Sequence, residues 1–228
     1  MTSPAHDVEL LRTATDRLLS AAGALDPAAV TEPSLLPGWT RGHVLAHVAR
    51  NADALINVLD GRPMYAGAEV RDGDIERDAP RPLAVQLDDF RTSAERLDTR
   101  FAAETAWDRT VELRNGVRDT AGSVPFRRWI EVELHHVDLG IGYGLADLPG
   151  AFVDRELANM ARRFSGHAQV PEAVELRVED GRVLRTGAAE GEPVVVAGSA
   201  TALVGWLTGR TSGSGLSARG PLPELPSL

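Results

Sequence analysis

The strongest constraint in this chain is an apolar stripe that recurs at helical spacing between Thr40 and Gly61. Val44, Leu45, Val48, Ala52, Leu55, Ile56 and Leu59 fall three or four residues apart, so one side of a helix must be buried against something else. Thr40 is a good N-cap, and Gly61 supplies the stop. The same periodicity recurs three times. Residues 6–25 carry Val8, Leu10, Leu11, Leu18, Leu19 and Ala22, and residues 81–104 carry Leu83, Leu87, Phe90, Ala94, Leu97 and Phe101. A further helix is expected from about Pro125 to Tyr143, with proline near its first turn and Gly144 beyond its end. Helices of this kind solve their burial problem by packing on one another as a bundle.

The connections read differently. Glu32-Pro-Ser-Leu-Leu-Pro-Gly-Trp39 is punctuated by Pro33, Pro37 and Gly38, and Trp39 is expected to anchor it by packing. Residues 62–79, rich in Gly, Pro and charge, are expected to form a long exposed loop that could cover a site. Two short extended pieces flank Asn115-Gly116, a hairpin signal. A fifth helix is expected over 150–165. Near Pro171 the texture changes. Ala173–Val178 alternates, a turn follows at Glu179–Arg182, Val183–Arg185 and Pro193–Ala197 read as strands, and Ser199–Thr208 as a short helix. The tail from Thr211 reads as extended coil. The fold class is therefore mainly α: a helical bundle over 1–168 and a small α+β domain over 169–228, with no internal repeat.

Composition limits the function. A net charge of −9 and a pI near 5.2 leave no basic patch for nucleic acid. No apolar run approaches a membrane span, and MTSPAHDVEL lacks the features of a signal peptide, so a cytoplasmic location away from membranes is expected. The sequence has no cysteine. Any metal must therefore be held by nitrogen and oxygen, and any thiol chemistry must use a thiol brought from outside.

One stretch has the residue types for such a metal. In Trp129-Ile-Glu-Val-Glu-Leu-His-His-Val-Asp-Leu139, Glu131 precedes His135 by four residues. On a helix the two side chains lie about 40° apart and one turn above each other, a spacing that lets both reach one ion. The same spacing also suits an ordinary solvated Glu–His pair. A second helix adds His43 and His47, again four apart. Two antiparallel helices carrying His47 and Glu131/His135 would converge in a bundle core, with His43 able to substitute for His47. Imidazoles with one carboxylate suit Zn²⁺, or Fe²⁺, Ni²⁺ or Mn²⁺.

The segments Pro37-Gly-Trp-Thr-Arg-Gly-His-Val-Leu-Ala-His-Val-Ala-Arg50, Arg128-Trp-Ile-Glu-Val-Glu-Leu-His-His-Val-Asp-Leu-Gly140 and Trp206-Leu-Thr-Gly-Arg210 closely resemble the mycothiol-dependent maleylpyruvate isomerase family over nearly the whole chain. The resemblance implies a DinB-like four-helix bundle followed by a domain similar to sterol carrier proteins. It implies metal ligands at His47, Glu131 and His135, with zinc the expected divalent ion. His43 and His136 then become neighbours of the site, and Asp138 could orient a ligand imidazole or serve as a cap. It further implies mycothiol, a low-molecular-weight thiol, as cosubstrate. The family's reaction converts maleylpyruvate to its trans isomer by thiolate addition, bond rotation and elimination.

Arg210 is the candidate catalytic arginine, able to grip a dicarboxylate and stabilise an enolate. By the same resemblance the C-terminal domain would close over the metal site, while the alternative is a helix-end arginine interacting with the dipole. The expected partners are a small-molecule substrate and the thiol, with the chain a monomer or homodimer. Two other functions fit the sequence: a metal-dependent mycothiol S-transferase that releases the adduct, and a non-catalytic small-ligand binding protein.

Overall fold

The structure is a computed structural model and describes residues 3–226. It separates into two units, one ending at Tyr143 and the other beginning at Gly144. The first unit is built on helices α1 (Pro4–Gly23), α2 (Arg41–Leu59), α3 (Ala68–Asp78), α4 (Leu83–Ala102) and α5 (Val124–Asp138). Of these, α1, α2, α4 and α5 form the four-helix bundle, α2 packing on α4 and α5, and α1 on α5 and α4. Their expected stripes are the core: Leu18, Val44, Val48, Ala52, Leu55, Phe90, Leu97, Trp129 and Val132 are all buried.

Local chemistry sets the helix ends. Ser3 caps α1, its hydroxyl accepting from the His6 amide, with Pro4 in the first turn. Thr40 caps α2 as expected, but its partner three residues on is a histidine. The Thr40 hydroxyl accepts from the His43 amide, and His43 Nδ1 accepts from the Thr40 amide at 3.1 Å. This is a capping box with imidazole in the place usually taken by glutamate. The hairpin at Asn115-Gly116 is present as β1 (Thr110–Glu112) paired antiparallel with β2 (Arg118–Thr120), and both turn residues have positive φ.

Residues 62–79 correct the sequence reading. Only the first part is irregular, and from Ala68 the chain is helical. The signal was weak because α3 has no apolar stripe. Val70 is exposed, and only Ile75 and Asp78 are buried within the helix. Charge holds its end instead, since Asp78 accepts hydrogen bonds from Arg77 and pairs with Arg81 and Arg50. Backbone contact fixes the junction: a Cβ at Gly42, in the first turn of α2, would lie 2.1 Å from the Ala79 carbonyl oxygen.

The second unit contains α6 (Gly150–Phe164), β3 (Ala173–Val178), β4 (Val183–Gly187), β5 (Val194–Gly198), α7 (Ala200–Leu207) and β6 (Ser217–Ala218). The sheet order is β4-β3-β5-β6, antiparallel except for the parallel β3–β5 pair. The tail expected as coil thus contributes a short edge strand.

The boundary also moves, from about 168 to 143/144. Helix α6 packs on α7 and β4, and Ser165 at its end bridges to Gly187. The sequence expectation grouped α6 with the other helices because they share a periodicity, but periodicity does not say which surface covers the apolar face. Among the described residues no helix is long and apolar enough to cross a membrane.

Candidate metal centre

Helices α2 and α5 lie side by side, and a buried cation helps to set their register. Arg128 on α5 is 1% exposed, and its Nη1 donates to the Val48 carbonyl at 2.7 Å and to Asn51 Oδ1 at 2.8 Å on α2. Val48 is the neighbour of His47, and Arg128 precedes Glu131 by three residues. The clamp therefore sits one helical turn from the polar cluster it aligns. Burial lowers the Arg128 guanidinium to about 10, with the charges of Glu131, Tyr65 and Asp53 opposing that shift. It stays charged at neutral pH.

The cluster is formed by His47, Glu131 and His135. One donor atom from each lies within 4.8 Å of the other two. His47 Nε2 is 3.0 Å and His135 Nε2 3.3 Å from Glu131 Oε2. The two imidazoles meet edge to face at 4.6 Å. Donors at about 2.1 Å from a tetrahedral zinc stand about 3.4 Å apart, so these residues fit a divalent ion with small side-chain adjustment. The Glu131 side chain is 33% exposed while both imidazoles are nearly covered, which leaves one side of the cluster open.

The surrounding groups determine which ring nitrogen is available. His135 Nδ1 donates to Asp138 Oδ2 at 2.9 Å, which directs its Nε2 toward Glu131. His43 is held out of the cluster. Its Nδ1 is occupied by Thr40 in the capping box, and its Nε2 donates to Glu76 on α3 at 3.3 Å. Of the two α2 histidines, the structure thus brings only His47 to Glu131. Trp39 tilts over the His47 ring at 5.6 Å and stacks near His43 at 6.1 Å, the anchoring role expected for it. The loop carrying it is tied to the end of α5, Leu35 donating to the Asp138 carbonyl and Arg41 to that of Leu139.

Charge in the cluster is distributed unevenly. Burial lowers His47 to about 4 despite its bond to Glu131, so that ring is neutral. Burial acts against the Glu131 carboxylate too, but hydrogen bonds from His135 and His47 hold it well below the usual range. Burial also opposes a charged His135, yet the bonds to Asp138 and Glu131 raise it. Without metal, then, the protonated form of His135 is favoured beside the Glu131 charge. That is the position a cation would take.

Two nearby residues were not singled out from the sequence. Arg71, on α3, places Nη2 3.3 Å from His47 Nδ1, and Tyr65 lies close enough to Arg71 for that cation to act on its phenol. Burial and the Glu131 charge raise the Tyr65 phenol, which therefore stays a donor. Both were hidden by reading 62–79 as a long exposed loop. Arg128 had a visible signal, since it shares a helix face with Glu131 and His135. The remaining candidate, Arg210, lies in the second unit just past α7, where its Nη1 donates to the Thr208 carbonyl at 2.7 Å. His136 faces away from the cluster and stacks on the Tyr143 ring at 3.9 Å.

A four-helix bundle with two imidazoles and a carboxylate converging from adjacent helices, followed by a small α/β unit, defines a class of helical-bundle proteins with a candidate metal site and an appended domain. Sequence comparison narrows this. Residues 11–140 match the family described as the mycothiol maleylpyruvate isomerase N-terminal domain, and residues 147–227 match the MDMPI C-terminal domain. The chain belongs to the mycothiol maleylpyruvate isomerase family. It is similar to the crystal structure of the mycothiol-dependent maleylpyruvate isomerase, with 30% identity and a TM-score of 0.89. A histidine-to-alanine mutant of that enzyme gives 29% identity and a TM-score of 0.89, and in both comparisons 100% of each chain is covered. No match is found among curated proteins.

Proposed function

We propose that this protein is a metal- and mycothiol-dependent cis–trans isomerase acting on maleylpyruvate or a related cis-alkene dicarboxylate. The observation that carries the reading is the convergence of His47, Glu131 and His135 on one point with one side open, in a chain with no thiol of its own. The likeness to the isomerase over the full length of both chains supports the choice of reaction.

In this reading His47 Nε2, Glu131 Oε2 and His135 Nε2 hold a divalent ion, with zinc favoured by the donor set. Such an ion supplies Lewis acidity that lowers the pKa of a bound thiol, so that thiolate is present at neutral pH. Asp138 keeps the His135 proton on Nδ1, and Arg128 fixes the spacing of the two helices. The thiolate sulfur adds to the alkene carbon, and the π electrons move onto the conjugated carbonyl as an enolate. The resulting single bond rotates. Collapse of the enolate then expels the thiolate and restores the double bond in its trans form, so thiol is not consumed.

Arg210 is our candidate for gripping a substrate carboxylate and stabilising the enolate. The test is turnover of maleylpyruvate by purified protein with and without mycothiol and with and without metal, followed by product analysis. Trans product with thiol unconsumed is expected. Full-rate isomerisation in thiol-free buffer, or a thiol adduct as the only product, would overturn the reading.

A further inference from the structure

The two histidines of the cluster are prepared differently at their outer nitrogens. His135 Nδ1 faces an acceptor, Asp138, which suits a ring that binds a cation through Nε2. His47 Nδ1 faces a donor, Arg71 Nη2 at 3.3 Å. That contact requires a lone pair on Nδ1 and hence the proton on Nε2, where it points at Glu131. A neutral imidazole that uses its Nε2 lone pair for a metal carries its proton on Nδ1 instead. Two donors would then face each other, so this arginine contact is incompatible with a loaded site. Metal binding must release the Arg71 guanidinium from His47.

The released group has few competing partners. Arg71 is largely covered, with 16% of its side chain exposed, and among the described residues its one ion pair is to Asp72, which is 62% exposed. An exposed pair of this kind holds a guanidinium weakly. Tyr65 lies close enough to Arg71 and to Glu131 for both charges to act on its phenol, Glu131 raising it and Arg71 lowering it. Tyr65 also lines a cavity of about 570 Å³ between residues 61–68 and the β1–β2 hairpin. Arg62, Arg109, Arg114 and Arg118 line the same cavity against a single acid, Glu112. Arg114 and Arg118 make no ion pair among the described residues. The cluster is thus neighboured, on the side of Tyr65, by a cavity that carries Arg114 and Arg118, while Arg62 and Arg109 are paired with Asp60 and Glu104.

We propose that Arg71 and Tyr65 form a carboxylate-binding subsite within the first unit, made available when metal displaces Arg71 from His47, and that it takes an anionic end of the dicarboxylate substrate. The guanidinium supplies a planar fork for the carboxylate and the phenol a further donor. The inference rests on the metal-site reading but not on the isomerase chemistry.

Its test uses equilibrium binding rather than turnover. Maleate is titrated into zinc-loaded protein by calorimetry, and zinc affinity is measured separately by competition with a chelator. In Arg71→Gln the cation facing His47 Nδ1 is removed and nothing opposes a proton there, so zinc should bind at least as tightly as in the native protein. Maleate should bind about tenfold more weakly or worse, the effect expected for losing a charged hydrogen bond. Arg71→Lys should fall between the two. Opposite movements of zinc and maleate affinity are not expected from a merely structural arginine. Unchanged maleate affinity in Arg71→Gln, loss of zinc from that variant, or no maleate binding to the native loaded protein would each overturn the proposal. Normal maleate binding without isomerase turnover would instead count against the proposed reaction alone.

Discussion

Helix α5 carries two carboxylate–histidine sets on opposite sides, and their surroundings differ. Glu133 is 1% exposed and accepts from three donors: Trp129 Nε1 at 2.9 Å, Arg17 Nη2 at 2.6 Å and the Tyr143 hydroxyl at 2.7 Å. Its neighbour His136 is stacked flat on Tyr143. Glu131, two residues earlier, has among the described residues only His47 and His135 against its Oε2, and keeps a third of its side chain exposed. One side is saturated and holds α1 against α5. The other is left short of positive charge and open on one side. Residue type alone does not separate a structural carboxylate from a ligand; the supply of donors around it does.

The largest expected effect comes from treating both carboxylates alike. Glu131→Gln should abolish stoichiometric metal binding and lower isomerase turnover by about a thousandfold or more, while leaving the fold intact. Glu133→Gln should do the reverse, keeping metal but destabilising the protein by about 2 kcal/mol, because three donors lose a charged acceptor. Elemental analysis beside urea denaturation of both variants checks this. Metal retained in Glu131→Gln, or lost in a folded Glu133→Gln, would remove the distinction between the two sides.

A smaller effect is expected from the group that orients His135. Asp138→Ala should weaken metal binding by about 10- to 100-fold without eliminating it, measured by chelator competition. Unchanged affinity would reduce Asp138 to a packing residue. His43→Ala is the matching control on α2. It removes the capping box and should cost about 1 kcal/mol of stability with metal affinity unchanged.

The smallest effect is a pH dependence of the metal-free protein. His135 is raised in the folded state, so the native chain binds more protons there than the unfolded chain. Its contribution to stability is complete below the unfolded value of 6.5 and is lost as pH rises through the folded value. His47 acts in the opposite sense: it is lowered to about 4, so it costs stability as pH falls from 6.5 toward 4. Urea midpoints of metal-free native protein and His135→Ala should therefore converge as pH rises above 6.5. Curves that stay parallel would show that His135 holds no extra proton in the fold.

The bundle was legible in the sequence because its information is periodic. Residues such as Val44, Val48 and Leu55 identify a buried face without reference to a partner, and Glu131 with His135 share a face by spacing alone. Two features were not legible. Helix α3 has charge where a stripe would be, so only its anchoring by Asp78 and Ala79 makes it a helix here. Spacing alone did not separate His43 from His47, and the family resemblance made that choice; the engagement of His43 by a backbone amide in the capping box is something no spacing rule contains. The boundary near 168 failed for the reason already visible in α6: an amphipathic helix shows that it needs a partner but not which one.

Gly42 has a consequence for how this scaffold can be altered. Because the Ala79 carbonyl occupies the place of a side chain there, the segment bearing Tyr65 and Arg71 is rooted at its far end by backbone contact. Its near end leaves α2 through Asp60 and Gly61. Changing the number of residues between those two roots asks little of the bundle, since doubling a loop's length costs only about 0.6 kcal/mol in closure entropy. Even an alanine at position 42 would displace the root itself. Engineered variation in ligand preference is therefore best introduced as insertions or deletions within 62–67, with Gly42 left untouched.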